Sequence, residues 1–221
     1  MPFRKVAGGI YLVGGDTLSH PEDCLVYFVE GPPAILIDAG ANRVANRILD
    51  NVAELGVDPQ EIDFCVLTHG HIDHIGGALN VREVTLCKLV AHEDDAEIIE
   101  SGDPVRTAAK MYGIKLPKCN LDDYLFGDEG ELGDLKWLHI PGHTPGSIAL
   151  YLDTPDGRIL FAQDVHGPFL PDFDSDIELW RQSMERLLAL EADILCEGHY
   201  GVYRGKDEVA RYIQSQLAAN R

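Results

Sequence analysis

Apolar residues along this chain come mostly in short blocks set off by glycine, proline or acidic residues, rather than in long continuous stretches. Cys24 to Glu30 and Ala34 to Asp38 are two such blocks, separated by Gly31-Pro32-Pro33, and they predict a hairpin. Val44, Ile48, Val52 and Leu55 recur at helical spacing before Gly56, so 44–55 is expected to be a helix. Asp63 to Leu67 and Lys88 to Ala91 read as buried strands. The pattern returns at Leu135 to Ile140, Ile148 to Leu152 and Arg158 to Ala162, and two helices are expected at Ser175 to Leu190 and Lys206 to Leu217. Strands in each half with helices beside them suit two sheets packed face to face. The stretch from Ser101 to Leu125 stands between these two sets of strands. Pro104 followed by Val105, Ala108, Ala109 and Tyr112 predicts a short amphipathic helix broken at Gly113. A connector of this length without a role is uncommon in a compact domain. It is therefore expected to cap a substrate site, with Met111, Tyr112 and Leu116 as an apolar lining.

Composition narrows this picture. A chain of 221 residues with 45% hydrophobic content can bury a substantial core, and no low-complexity linker divides it, so residues 1–221 are expected to form a single domain. No apolar run is long enough to span a bilayer. Arg4 and Lys5 precede only the short Ile10-Tyr11-Leu12-Val13 patch, which falls short of a signal peptide, so a cytoplasmic location is expected. Cys24, Cys65, Cys87, Cys119 and Cys196 are odd in number, scattered and without a CxxC pair; they read as buried free thiols in a reducing compartment. The 37 acidic against 18 basic residues give a net charge of −19, which repels phosphate backbones and anionic membranes. The expected partner is a small-molecule substrate, with no nucleic acid and no membrane.

The chemistry is concentrated at Thr68-His69-Gly70-His71-Ile72-Asp73-His74-Ile75-Gly76-Gly77, where three imidazoles and a carboxylate fall within six positions after an apolar run. In an extended segment side chains alternate, so His69 and His71 point the same way and can close on one ion. Asp73 and His74 are adjacent and must diverge, which directs them to a second ion beside the first. A hard carboxylate with imidazoles suits zinc, iron or manganese, and the lack of a nearby thiolate argues against a structural zinc knuckle. Three isolated residues add to the set. His143 sits in Pro141-Gly142-His143-Thr144-Pro145-Gly146, a turn whose proline and glycine residues can aim one ligand rigidly. Asp164 follows the apolar run Ile159-Leu160-Phe161-Ala162, and His199 follows Ile194-Leu195-Cys196, so both stand at strand ends.

These motifs, in this order and over most of the chain, resemble the metallo-β-lactamase superfamily of metal-dependent hydrolases. The resemblance implies a four-layer αββα sandwich. It implies one metal on His69, His71 and His143, another on Asp73, His74 and His199, and Asp164 bridging them. Asp38, in Leu36-Ile37-Asp38-Ala39-Gly40, would buttress the cluster; read from sequence alone it could equally cap the turn from Ala39 to Asn42.

Two cations sharing a water can generate hydroxide at neutral pH, so no side-chain nucleophile is required. Asp73 is expected to hold or shuttle the proton. The PGHTPG loop and the His-x-His-x-Asp-His cluster resemble the glyoxalase II type of thiolesterase, which puts a thioester first among substrates and a lactone beside it, with two divalent ions, zinc before iron or manganese. That type carries a separate C-terminal helical domain with basic residues, whereas about twenty residues follow His199 here, with Arg204, Lys206 and Arg211 as stand-ins. The alternatives are a persulfide dioxygenase with one iron on His69, His143 and Asp164, and a phosphoester or phosphotriester hydrolase. A β-lactamase is disfavoured because Asp164 stands where those enzymes carry cysteine or serine. A flavodiiron reductase is disfavoured because its cluster has glutamate at the position of His71. A scaffold without chemistry is disfavoured because all seven ligands are present. Of the remaining histidines, His92 and His139 flank strands and are expected to pack, and His20 carries no motif. His166, two residues past Asp164, is expected either to lean over the metals and protonate a leaving group or bind substrate, or only to orient Asp164 or point into the Gly167-Pro168 turn.

Overall fold

The computed structural model describes residues 1–41 and 46–220. A first sheet runs β1 (Arg4–Ala7), β2 (Ile10–Leu12), β3 (Tyr27–Val29), β4 (Ile35–Ile37), β5 (Phe64–Val66), β6 (Lys88–His92) and β7 (Asp123–Leu125) in that spatial order. It is antiparallel up to β4 and parallel from β4 onward. A second sheet has the order β13 (Val202–Arg204), β12 (Ile194–Cys196), β11 (Gly157–Ala162), β10 (Ile148–Thr154), β9 (Leu135–His139) and β8 (Glu129–Leu132). Only its β11–β12 pair is parallel. The helices are α1 (Asn46–Ala53), α2 (Ile72–Ile75), α3 (Ala78–Thr85), α4 (Glu93–Ser101), α5 (Ile177–Ala189) and α6 (Lys206–Ala219).

Strand alternation builds the layers. In β3, Tyr27 and Val29 face the second sheet while Phe28 faces α1 and α3, and in β4 Ile35 and Ile37 are separated from Leu36 in the same way. Across the middle, these residues meet Trp137, Leu150, Ile159 and Phe161. On the far side Leu160 and Leu195 pack against Trp180, Met184 and Leu187 of α5 and Ile213 of α6. Both faces of the central strands are therefore buried, which is why they read in sequence as unbroken apolar blocks. The order helix, sheet, sheet, helix is the expected αββα sandwich.

Several elements depart from expectation. The 44–55 helix begins, within the described residues, at Asn46 and ends at Ala53; Val44 and Asn42 lie outside the described residues. The N-terminal patch forms a β1–β2 hairpin at the edge of the first sheet. The predicted amphipathic helix after Pro104 is instead a chain of turns. Ala108 has φ +59°, a left-handed conformation that interrupts helical hydrogen bonding, and Lys110 N–H reaches back to Pro104 O. Leu116 does not line a substrate site but packs into the outer layer with Ile99 and Cys119. All five cysteines are buried and free, and among the described residues no helix is long and apolar enough to cross a membrane.

Candidate metal centre

Two parallel strand pairs, one in each sheet, aim their carboxyl ends at the same edge of the sandwich. The β4–β5 pair delivers Asp38 and the 68–74 loop, and the β11–β12 pair delivers Asp164 and His199. His143 comes from the β9–β10 turn. His71 keeps extended backbone (φ −78°, ψ 148°) as the N-cap of α2, so His69 and His71 alternate onto one side as the spacing suggested. One helical turn then redirects Asp73 and His74, with the His74 ring still 4.0 Å from that of His69.

The seven residues converge in two groups, each with its ligand atoms within 4.8 Å of one another: His69, His71, His143 and Asp164, then Asp73, His74, Asp164 and His199. In the first, His71 Nδ1 lies 3.1 Å from His69 Nε2 and 2.8 Å from His143 Nε2. Asp164 Oδ2 is 3.9 Å from His69 Nε2 and 3.5 Å from His143 Nε2. In the second, Asp164 turns its other oxygen, Oδ1, to His74 Nε2 at 3.3 Å and His199 Nε2 at 3.1 Å, while Asp73 Oδ2 lies 3.6 and 3.2 Å from the same two nitrogens. Asp164 belongs to both groups through different oxygens. It has φ +51°, an uncommon conformation for a residue with a side chain. Gly198 packs beneath it, where a Cβ would come within 2.6 Å of Oδ1.

The donor set fits cations. Several imidazole nitrogens face one another, and buried His74 Nε2 and Asp164 Oδ1, though 3.3 Å apart, are not aligned for a hydrogen bond and find no other, a costly arrangement unless something positive sits between them. Burial keeps the first group's imidazoles neutral: His69 lies well below its ordinary value, and His71 and His143 fall to about 3. In the second group burial also works against the charged ring of His199, but the Asp164 and Asp73 carboxylates outweigh it and raise His199 to about 10. That group attracts positive charge, protons or a metal.

Outer contacts hold the ligands in place. Asp38, with φ +65°, turns its carboxylate back to accept from Thr68 N (2.8 Å) and Thr68 Oγ1 (2.9 Å), and its Oδ2 lies 2.8 Å from His74 Nδ1. This is the buttress arrangement, and it leaves His74 Nε2 for the second group. His143 Nδ1 is held by Pro168 O at 3.0 Å. Two residues that carry no motif do comparable work. Fully buried Asp95 accepts from Gly70 N, Thr144 Oγ1 and Gly146 N at 2.7–2.8 Å, tying the His69–His71 loop to the His143 loop. Glu197 accepts from the backbone N–H groups of His199 and Tyr200 and bonds His166 Nδ1 at 2.8 Å. Nothing in the sequence marks Asp95 beyond its place in the first turn of α4; Glu197 stands two residues before His199.

His166 is not in an extended segment, because the chain turns after Asp164. It nonetheless reaches a cavity of about 310 Å³ in front of the two groups, whose walls include Asp73, Met111, Tyr112, Phe173 and Tyr200. Burial, with Asp73 nearby, pushes the Tyr112 phenol up to about 12. His92 and His139 lie apart from this site, stacked on each other at 3.8 Å, with His92 Nε2 bonded to Gly127 O and His139 Nε2 to Pro145 O. Of the basic stand-ins, Arg204 alone lines a cavity that His199 shares; Lys206 pairs with Glu191 and Arg211 with Glu208.

A sandwich of this topology with histidines and aspartates at one sheet edge defines a class of metal-dependent hydrolases. Residues 21–199 match the metallo-beta-lactamase superfamily model, and the chain belongs to that superfamily. It is 28% identical to a probable metallo-hydrolase, YflN, of Bacillus subtilis, with 82% of each chain covered. It is 29% identical to the hydroxyacylglutathione hydrolase GloC of Haemophilus influenzae, over 82% of this chain and 86% of the relative. Among solved structures, a metallo-beta-lactamase with a HARLDQ motif from Cronobacter sakazakii superposes with a TM-score of 0.81 at 22% identity, covering 99% of this chain and 92% of that one. The subclass B3 metallo-beta-lactamase of Bradyrhizobium japonicum gives 0.78 at 24%, covering 100% and 95%. At these identities the structural likeness is one of fold.

Proposed function

We propose that this chain hydrolyses a small thioester or lactone with two divalent cations, zinc before iron or manganese. The observation that carries the reading is the division of Asp164, whose Oδ2 serves the first group and Oδ1 the second. His69, His71 and His143 would hold one ion and Asp73, His74 and His199 the other. Bound there, such a pair would supply a water whose pKa falls to about 7 and an electrophile for the ester carbonyl. The chain's own residues do the rest. Asp73 commits Oδ2 to the second group and keeps Oδ1 to take the proton of the attacking water. His166, held at Nδ1 by Glu197, offers Nε2 to the substrate's departing side. Met111, Tyr112 and Phe173 shield the carbon being attacked from bulk solvent, and Ser101 to Leu125 acts as the cap through Met111 and Tyr112.

The likeness to a hydroxyacylglutathione hydrolase favours the thioester over phosphoesters. A mononuclear iron dioxygenase would need only the first group, so a complete second group favours hydrolysis. Five buried free thiols support a cytoplasmic setting. The test is a panel of thioesters, lactones and phosphotriesters assayed with zinc, manganese or iron, alongside elemental analysis. Two ions per chain with thioester turnover and no oxygen uptake is the expected result. One tightly held iron with oxygen consumption would replace this reading with the dioxygenase.

A further inference from the structure

Beside the metal cavity lies a second one of about 380 Å³ that the proposed reaction does not use. It opens where the edges of the two sheets meet: β1 of the first sheet and β13 of the second are joined there by Arg204 Nη2 donating to Val6 O at 2.9 Å. The two cavities share a wall formed by His199 and Tyr200. Arg4, Lys5 and Arg204 line the second cavity, against Asp16 as its one carboxylate. In a chain with net charge −19, three cations gathered around one cavity are conspicuous, and no carboxylate pairs with them among the described residues. Arg4 instead bonds the Thr17 hydroxyl at 3.3 Å, and Arg204 a backbone carbonyl. Among the described residues, neither they nor Lys5 form an ion pair.

We infer that this cavity binds an anionic group of the substrate, a carboxylate or a phosphate, while the apolar part of the same molecule occupies the cavity under Met111, Tyr112 and Phe173. This rests on the hydrolytic reading of the metal centre and adds the substrate's class to it: an ester or thioester with one apolar arm and one anionic arm. The overall field of an acidic protein repels anions, so a local cluster of uncompensated cations makes this mouth the favourable approach for a negative arm and orients the ester between the two cavities. Guanidinium groups with unspent donors match carboxylate and phosphate oxygens. The anionic arm would lie on the His199 side, beyond the second ligand group.

The test uses thioethers that imitate the ester but cannot be cleaved, with a constant butyl arm and a second arm ending in a carboxylate, a monophosphate or a neutral amide. Calorimetry measures their binding to the zinc-loaded wild type, to Arg4→Gln/Lys5→Gln and to Arg204→Lys. The anionic probes are expected to bind about tenfold tighter than the amide, to lose that margin in the double variant and to keep it in Arg204→Lys. Added salt should narrow it. The preferred anionic probe names the source of the charge. Equal affinity of all three probes overturns the proposal. So does a margin that survives in Arg4→Gln/Lys5→Gln, since the anion would then be held by the metals themselves. Turnover of the matching thioesters is a separate readout. Charge-dependent binding with no turnover keeps the anion site and removes the hydrolytic reading, whereas turnover indifferent to charge does the reverse.

Discussion

Asp38 and His74 are joined at 2.8 Å between Oδ2 and Nδ1, with both side chains fully buried. The contact fixes which imidazole nitrogen is left for the second ligand group. Asp38→Ala removes the fixed orientation and is expected to lower activity by about 10 to 100-fold, as loss of a ligand's outer partner typically does. The loss should fall on the second ion. Metal content and kcat measured together check this, and an unchanged second-ion affinity would show that Asp38 serves only Thr68.

Asp164→Asn keeps the shape of the residue while removing the charge shared by two groups. Activity should fall by more than about 100-fold, beyond the loss typical of an outer partner, and bound metal should drop toward one ion per chain. Circular dichroism should report an intact fold. Turnover and metal content like the wild type's would mean that Asp164 does not link the groups.

Asp95 accepts three hydrogen bonds from two different ligand loops. An asparagine there must turn an NH₂ toward one or more of those donors, leaving buried groups unsatisfied at about 2 kcal/mol or more. For a chain of this size that corresponds to a Tm lower by roughly 4–8 °C. Asp95→Glu, which keeps the charge but lengthens the arm, should recover part of the metal affinity if the carboxylate's role is to tie the loops. A Tm within a degree or so of wild type in Asp95→Asn would argue against that tie.

Metal binding should release protons unequally. His71 and His143, held near 3, are already neutral at pH 7, so an ion entering the first group displaces almost none. His199, raised to about 10, carries its proton at pH 7 and must give it up. Affinity in the second group should therefore rise as pH rises through neutrality, while the first stays level until strongly acid pH. Zinc titrations in buffers of different ionisation enthalpy measure this directly, and equal proton release for both ions would contradict it.

Truncating Met111 and Tyr112 to Ala tests the cap. Both side chains line the metal cavity but neither offers an atom to the ligand groups. Metal content should hold while relative rates across thioesters and lactones shift several-fold, about 1 kcal/mol of lost apolar contact per side chain. If the ranking of substrates does not move, specificity is set elsewhere.

Much of this protein is legible in the order of its residues because the information is local. Strand blocks such as Tyr27–Val29 and Ile159–Phe161 announce burial on both faces. The 68–77 cluster is dense enough that alternation alone groups His69 with His71. What sequence could not supply depends on approach between distant segments. Ala108 turns left-handed and undoes a helix that spacing favoured, because tertiary contacts outweigh a propensity worth tenths of a kcal/mol per residue. Asp95 and Glu197 gain their roles only when the His143 loop and the 166 turn are folded against them. The assembly of His199 and Asp164 with Asp73 follows from two parallel strand pairs ending at one edge. Residue types and spacing thus determined which groups can bind metal, since ligand chemistry belongs to the side chain. Their division into two sites, and the cations gathered from both ends of the chain beside them, were decided by sheet packing, because only tertiary structure brings groups more than a hundred residues apart within a few ångströms.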